Sequence, residues 1–128
     1  MKVEPLISVR DVEASSLFYQ TLLGCESAHG GDEYEMLTHE GKLLLQLHCR
    51  NALEHPGMCA SEIPVGNGVI LWFRTDNFEE SVSKVRKLDP EIVAEPHVNQ
   101  NARQHEIWFR DPDGYLVVIS DNIGDARD

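Results

Sequence analysis

The stretch Val9-Arg10-Asp11-Val12-Glu13-Ala14-Ser15-Ser16-Leu17-Phe18-Tyr19-Gln20-Thr21-Leu22-Leu23-Gly24 decides the architecture, because one run carries a strand end, a helix cap, a helix and a helix stop. The Asp11 carboxylate can accept bonds from orphan backbone N–H groups, so it reads as an N-cap. Ala14, Phe18 and Leu22 recur at helical spacing, with Leu17 beside them, and predict the buried stripe of a helix ending near Leu23. Gly24 then supplies the left-handed backbone that stops it. Upstream, Val3–Arg10 reads as a strand with Ile7 and Val9 on one face and Glu4, Leu6 and Ser8 on the other. Downstream, strands are expected near Glu26–His29, Tyr34–Thr38 and Leu43–Cys49, with Glu40-Gly41 as a turn.

The same order then returns. His55 to Gly68 contains Pro56, Gly57, Pro64, Gly66 and Gly68, too many breakers for an element. Val69–Arg74 reads as a strand, and Asp76 with Glu79 as a capping box. Phe78, Val82, Val85 and Leu88 form the stripe of a second helix. Strands near Ile92–His97, Glu106–Phe109 and Tyr115–Ser120 follow, the last two joined by the turn Asp111-Pro112-Asp113-Gly114. Asp11 and Asp76 hold equivalent caps, while Ser15 and Ser81, then Leu22 and Leu88, hold equivalent helix positions. The chain therefore reads as one α+β domain over 1–128, duplicated into a module at about 1–54, a linker at about 55–67 and a module at about 68–128. Each module has one helix to cover one sheet face, so the opposite faces are where a ligand is expected.

Composition narrows the function. Of the 128 residues, 41% are hydrophobic and 26% charged, as in a globular soluble protein. The net charge of −11 repels polyanions, so nucleic acid and anionic membrane are not expected partners, whereas neutral or cationic small molecules are. Cys25, Cys49 and Cys59 are odd in number and lack CxxC spacing, which argues against a disulfide framework and a cysteine-rich zinc site. Met1-Lys2-Val3-Glu4-Pro5 leads into no long apolar run, and no stretch reaches the ~18 apolar residues of a span, so a reducing cytoplasm is the expected location.

The opening segment Val9–Gly24 resembles the start of the vicinal oxygen chelate superfamily, and Trp108-Phe109-Arg110-Asp111-Pro112-Asp113-Gly114-Tyr115-Leu116-Val117-Val118 resembles its closing strand, turn and strand. That superfamily includes glyoxalase I, bleomycin-resistance proteins, extradiol dioxygenases and fosfomycin-modifying transferases. The resemblance implies two βαβββ modules whose mixed sheets curve around a cavity. In catalytic members the cavity holds one divalent metal that polarises substrate oxygens. Carried over to this chain, the family's ligand positions fall on Glu4, Gln46, Val69 and Val118. Valine offers no donor atom, so the resemblance implies that the usual metal is lost and no cofactor is expected.

Strand alternation predicts which side chains line the cup: Glu4, Leu6 and Ser8; Leu44, Gln46 and His48; Val69, Leu71 and Phe73; Glu106 and Trp108; Leu116 and Val118. The ligand-binding set is thus Glu4, Leu44, Gln46, His48, Leu71, Phe73, Glu106, Trp108 and Val118, with Trp72 expected under the second helix. His48 reads either as a base or anchor assisted by Glu106 or Glu35, or as a hydrogen-bonded strand histidine. Trp108 is either a stacking surface or a core residue. One of Tyr34 and Glu35 should point inward, His97, Asn99, Asn101 and His105 read either as a solvated turn or as a metal or substrate rim, and neither Cys49 nor Cys59 reads as a nucleophile.

Two functions are compatible with these residues. The first is a metal-free, bleomycin-resistance-like homodimer that sequesters a small organic molecule, with a cationic aromatic favoured by acidic and aromatic groups. The second is a glyoxalase-like lyase, isomerase or dioxygenase that uses Glu4, Gln46 and His48 as an atypical metal set, or His48 as a base oriented by Glu106.

Overall fold

A computed structural model of the chain describes residues 1–50, 66 and 68–121. They divide between two units, Met1–Val65 and Gly66–Asp128. Most of the expected linker, with His55 and Cys59, lies outside the described residues.

The first unit runs β1 (Leu6–Val9), α1 (Val12–Leu23), β2 (Glu26–Ser27), β3 (Tyr34–His39) and β4 (Lys42–Cys49). The second repeats that order as β5 (Ile70–Arg74), α2 (Phe78–Leu88), β6 (Ile92–Asn99), β7 (Gln104–Arg110) and β8 (Leu116–Ser120). The sheets are ordered β1-β4-β3-β2 and β5-β8-β7-β6. In each, the first strand runs parallel to the fourth while the remaining pairs are antiparallel. This is the α+β, two-module fold that the sequence implies.

Asp11 caps α1, its carboxylate accepting the Ala14 amide at 3.0 Å, and such a cap is worth about 1 kcal/mol. The stripe that α1 buries is Val12, Ser15, Ser16, Tyr19 and Leu22. Ala14 faces solvent and Leu17 is 65% exposed, which corrects the apolar reading of this helix. The reason is chemical: Ser16 turns inward to donate to a buried carboxylate, Glu35, on β3.

The cap of α2 is Asn77, not Asp76. Asn77 Oδ1 accepts the Glu80 amide and Asn77 Nδ2 donates to the Glu80 carboxylate, so the cap lies one residue later than expected. This slip reverses the faces of β5. Leu71 pairs with Val117 and Phe73 with Ile119, while Trp72 pairs with Val118. Leu71 and Phe73 therefore lie on the face that carries Ile107 and Phe109, and Trp72 lies with Trp108. His105, on the Ile107 side, stacks on Phe78 at the start of α2, which identifies that side as the helix-bearing one. The expectation that Leu71 and Phe73 face a ligand while Trp72 sits under α2 is thus corrected, and Val69 precedes the strand with 42% exposure.

The closing turn forms as its residues predict. Asp111 Oδ1 accepts the amides of Asp113 at 2.8 Å and Tyr115 at 2.9 Å. Gly66 approaches this turn closely: it has φ +88°, and a Cβ there would lie 2.7 Å from the Gly114 carbonyl oxygen. Gly66→Ala is expected to cost about 2–4 kcal/mol through backbone strain plus overlap. Gly68→Ala, at φ +77° with open space around it, should cost only the strain. Equal melting temperatures for the two variants would contradict the close approach.

Candidate functional site

In the first unit, the face turned away from α1 carries Leu6, Ser8, Tyr34, Met36, Gln46 and His48, by register. Tyr34 is therefore the inward member of the Tyr34/Glu35 pair. Its hydroxyl donates to Gln46 Oε1 at 2.5 Å, and Gln46 Nε2 donates to the Glu4 carbonyl at 3.1 Å. Burial, with the charges of Glu4 and Glu35 behind it, raises the Tyr34 pKa, so the phenol keeps the proton it donates. The Gln46 amide is occupied at both ends, and the Glu4 side chain is exposed. His48 is buried, with Nδ1 3.2 Å from the Cys49 carbonyl and its ring 6.0 Å from that of Tyr34. Leu44 lies two residues before Gln46 on the same strand and is half-buried.

Glu35 points the other way, into α1, so it does not orient His48. It is 3% exposed and accepts five bonds, from the Ser16 and Ser27 hydroxyls and the amides of His29, Gly30 and Met36. Burial alone would raise its pKa and is the largest single influence, but the donated bonds together outweigh it and hold the carboxyl below its ordinary value.

In the second unit, the face turned away from α2 is built in rows. Trp72, Val118 and Trp108 form one, and Arg74, Ser120 and Glu106 form the next. Both indole N–H groups reach into that next row, Trp72 to Ser120 Oγ at 2.8 Å and Trp108 to Glu106 Oε1 at 2.9 Å. Trp72 remains 44% exposed, whereas Glu106 is 0% exposed. The other Glu106 oxygen accepts Gln104 Nε2 at 2.8 Å and Asn99 Nδ2 at 3.0 Å. His97 Nε2 lies 3.7 Å from Glu106 Oε1, and the His97 ring meets Trp108 edge-on with centroids 6.0 Å apart. Burial opposes ionisation of Glu106 most strongly, yet the bonds from Gln104, Trp108 and Asn99, with the field of His97, lower its pKa overall. A carboxylate so placed is a weak base and an anchor for its neighbours.

The acid limb of stability follows from these two carboxylates. Both have folded pKa values below the ordinary 4.5, so their stabilisation is complete above that value and is lost as pH falls through the folded values. Urea midpoints should hold steady from neutrality to about pH 5 and then fall. A midpoint unchanged down to pH 3 would contradict the cages described.

Residues 2–124 match the family model of the glyoxalase-like domain. The chain belongs to the glyoxalase-like domain family. No protein among the curated sequences matches it. Solved structures share the fold at low identity. A glyoxalase/bleomycin resistance protein/dioxygenase family enzyme from Burkholderia phytofirmans PsJN is 18% identical with a TM-score of 0.77, covering 92% of this chain and 95% of that one. A lactoylglutathione lyase from Agrobacterium tumefaciens is 19% identical with a TM-score of 0.70, covering 95% and 93%. An integron cassette protein from the mobile metagenome of V. Cholerae is 23% identical with a TM-score of 0.70, covering 94% and 97%.

Measured against the metal positions that glyoxalase-like enzymes use, the donor set of this chain does not fit. The last-strand position is Val118, fully buried between two tryptophans in its row. With Asn77 as the cap, the β5 position moves from Val69 to Ile70, which is equally without a donor atom. Gln46 gives its oxygen to Tyr34, so among these four positions only Glu4 brings a carboxylate, too few donors for a fixed divalent site. Among the described residues, no three His, Cys, Asp or Glu side chains gather as a ligating group. No helix of the described residues is long and apolar enough to cross a membrane. Burial pushes the Cys25 thiol up to about 11, which leaves it inert.

Sequence reasoning missed Trp72, and it missed His97 and Asn99 as partners of Glu106. Both omissions had a signal. The interval from Ser15 to Ser81, laid from Asp11, lands on Asn77, and laid from Leu6 it lands on Trp72. Counting outward from the 100–103 turn pairs Asn99 with Gln104 and His97 with Glu106, as the hairpin does. His105 instead turns to the helix-bearing side, its Nδ1 2.7 Å from Asp121 Oδ2.

Proposed function

We propose that this glyoxalase-like domain binds small planar organic molecules, cationic for preference, on each unit's sheet face turned away from its helix, and that it does so without metal and without a bond-making step. The observation that carries the reading is the row Trp72–Val118–Trp108. Where metal-using relatives place a carboxylate ligand, this chain has a hydrocarbon flanked by the two tryptophans of the sequence. Indole faces stack on planar rings and attract cations through their quadrupole. The net charge of −11 adds long-range attraction for the same ligands.

The polar groups support binding over catalysis. Glu106 spends both oxygens on its own neighbours, and Gln46 spends both ends of its amide. In the first unit, His48 and Tyr34 then serve as hydrogen-bonding groups on that face, with Leu44 as apolar area. Because the sequence has two tryptophans and both lie on one face, intrinsic fluorescence reports that face. Titration with proflavine, a planar cation, is expected to quench it saturably, whereas tetramethylammonium and neutral cyclohexanol should not. Quenching that rises linearly without saturation would reject the reading.

A further inference from the structure

We infer that Glu35, although it faces α1, is the positioning residue for His29 on the opposite face of the first unit's sheet, and so sets the hydrogen-bonding edge of that face. This rests on the reading of that face as a binding surface. Three observations carry it. Glu35 Oε1 accepts two consecutive loop amides, His29 N at 3.2 Å and Gly30 N at 2.8 Å, together with its own neighbour Met36 N at 3.0 Å. Its Oε2 is held by Ser16 Oγ from α1 at 2.8 Å and Ser27 Oγ from β2 at 2.7 Å. The loop so captured sends the His29 ring to the far side of the sheet, edge-on to Tyr34 with centroids 5.0 Å apart. His29 Nδ1 meets the Gly30 carbonyl at 2.7 Å, which holds the ring and makes Nδ1 the donor, leaving the acceptor role to Nε2.

Tyr34 in turn lies beside His48, so His29, Tyr34 and His48 form a continuous run of rings along one face. The group recognised there is one that donates a hydrogen bond, such as a ring amine or hydroxyl, because the Tyr34 phenol oxygen, and an imidazole Nε2 whose ring donates Nδ1–H to a carbonyl, can accept. Glu35 touches none of this surface. It acts through the loop, and its reach across the strand is what matters.

The test uses the full chain with Glu35→Gln, Glu35→Asp, Glu35→Ala and His29→Ala. Glutamine keeps an oxygen for the three amides and an NH2 that the two serine hydroxyls can accept by rotating, so it should preserve the loop. Aspartate keeps the charge but is a methylene short. The nuclear Overhauser contact between the His29 and Tyr34 rings should persist in Glu35→Gln and vanish in Glu35→Asp and Glu35→Ala, with unchanged far-UV circular dichroism. If Glu35→Ala does not fold, Glu35→Asp decides. Affinity at the first unit's face for proflavine, whose ring amines can donate there, is followed by NMR at the Tyr34 ring and should fall about three- to tenfold in Glu35→Asp and in His29→Ala. It should fall no further when the two are combined. An Overhauser contact that survives in Glu35→Asp overturns the inference, as do losses that add. Absence of proflavine binding by the unmodified protein would defeat the binding reading and this ligand edge with it. The Overhauser pattern would then still decide whether Glu35 positions His29.

Discussion

Glu106→Ala is expected to lower the melting temperature by roughly 10–20 °C, corresponding to about 3–5 kcal/mol. The side chain is fully buried, and its removal takes away the acceptor that Trp108 Nε1, Gln104 Nε2 and Asn99 Nδ2 share. Glu106→Gln should recover only part of the loss, because its NH2 must face a group that can only donate. The amides cannot simply flip to receive it. Asn99 Oδ1 already accepts the amides of Asn101 and Ala102, and Gln104 Oε1 accepts from Arg74 Nη2. The indole N–H on the other side has no acceptor to offer. Glu35 differs, since two of its five donors are hydroxyls that can reverse. Glutamine should therefore be tolerated at position 35 and penalised at position 106, and equal melting temperatures for the two glutamine variants would contradict both hydrogen-bond maps.

Trp72→Ala and Trp108→Ala are each expected to weaken proflavine binding about 10- to 100-fold, the worth of one stacked cation–π contact of ~1–3 kcal/mol. Their effects on stability should differ. Trp72 is 44% exposed and joined to the sheet by one bond to Ser120, so its removal should barely move the melting temperature. Trp108 is half-buried, fixed by Glu106 and packed against His97, so its removal should destabilise as well as weaken binding. Each variant leaves one indole as a fluorescent reporter of the same face. Wild-type affinity in both variants would remove the row from the binding surface.

The fold was legible because its signals are local and repeated. The caps, the glycine stop and the Asp-Pro-Asp-Gly turn each specify backbone geometry by a chemical mechanism, and the order of elements occurs twice. In the second unit, what failed was one register. Asp76 and Asn77 are both good caps, and choosing the first moved every β5 side chain to the wrong face, since strand parity has a period of two residues. That one slip exchanged Leu71 and Phe73 for Trp72 and put Val69 where Ile70 belongs. In α1 the error had another cause. Hydrophobicity alone favours Ala14 and Leu17 over Ser15 and Ser16, but a buried carboxylate on β3 draws Ser16 inward. Strand alternation placed Gln46, His48 and Glu106 on the faces turned away from the helices, as the register does, yet it did not reveal their partners. Whether Glu106 is an offered carboxylate or an occupied one depends on Asn99 and Gln104 reaching it from a hairpin, which composition does not reveal.

The central claim is that a glyoxalase-like scaffold has exchanged its metal positions for hydrocarbon and aromatic surface, and holds a ligand by stacking. Calorimetric titration of proflavine into untagged protein, before and after exhaustive EDTA treatment and with metal content measured on the same sample, tests it most directly. The account predicts saturable binding of the same affinity in both samples and only trace metal. Stoichiometric zinc, nickel, manganese or iron, with binding that disappears on its removal and returns on its addition, would contradict it.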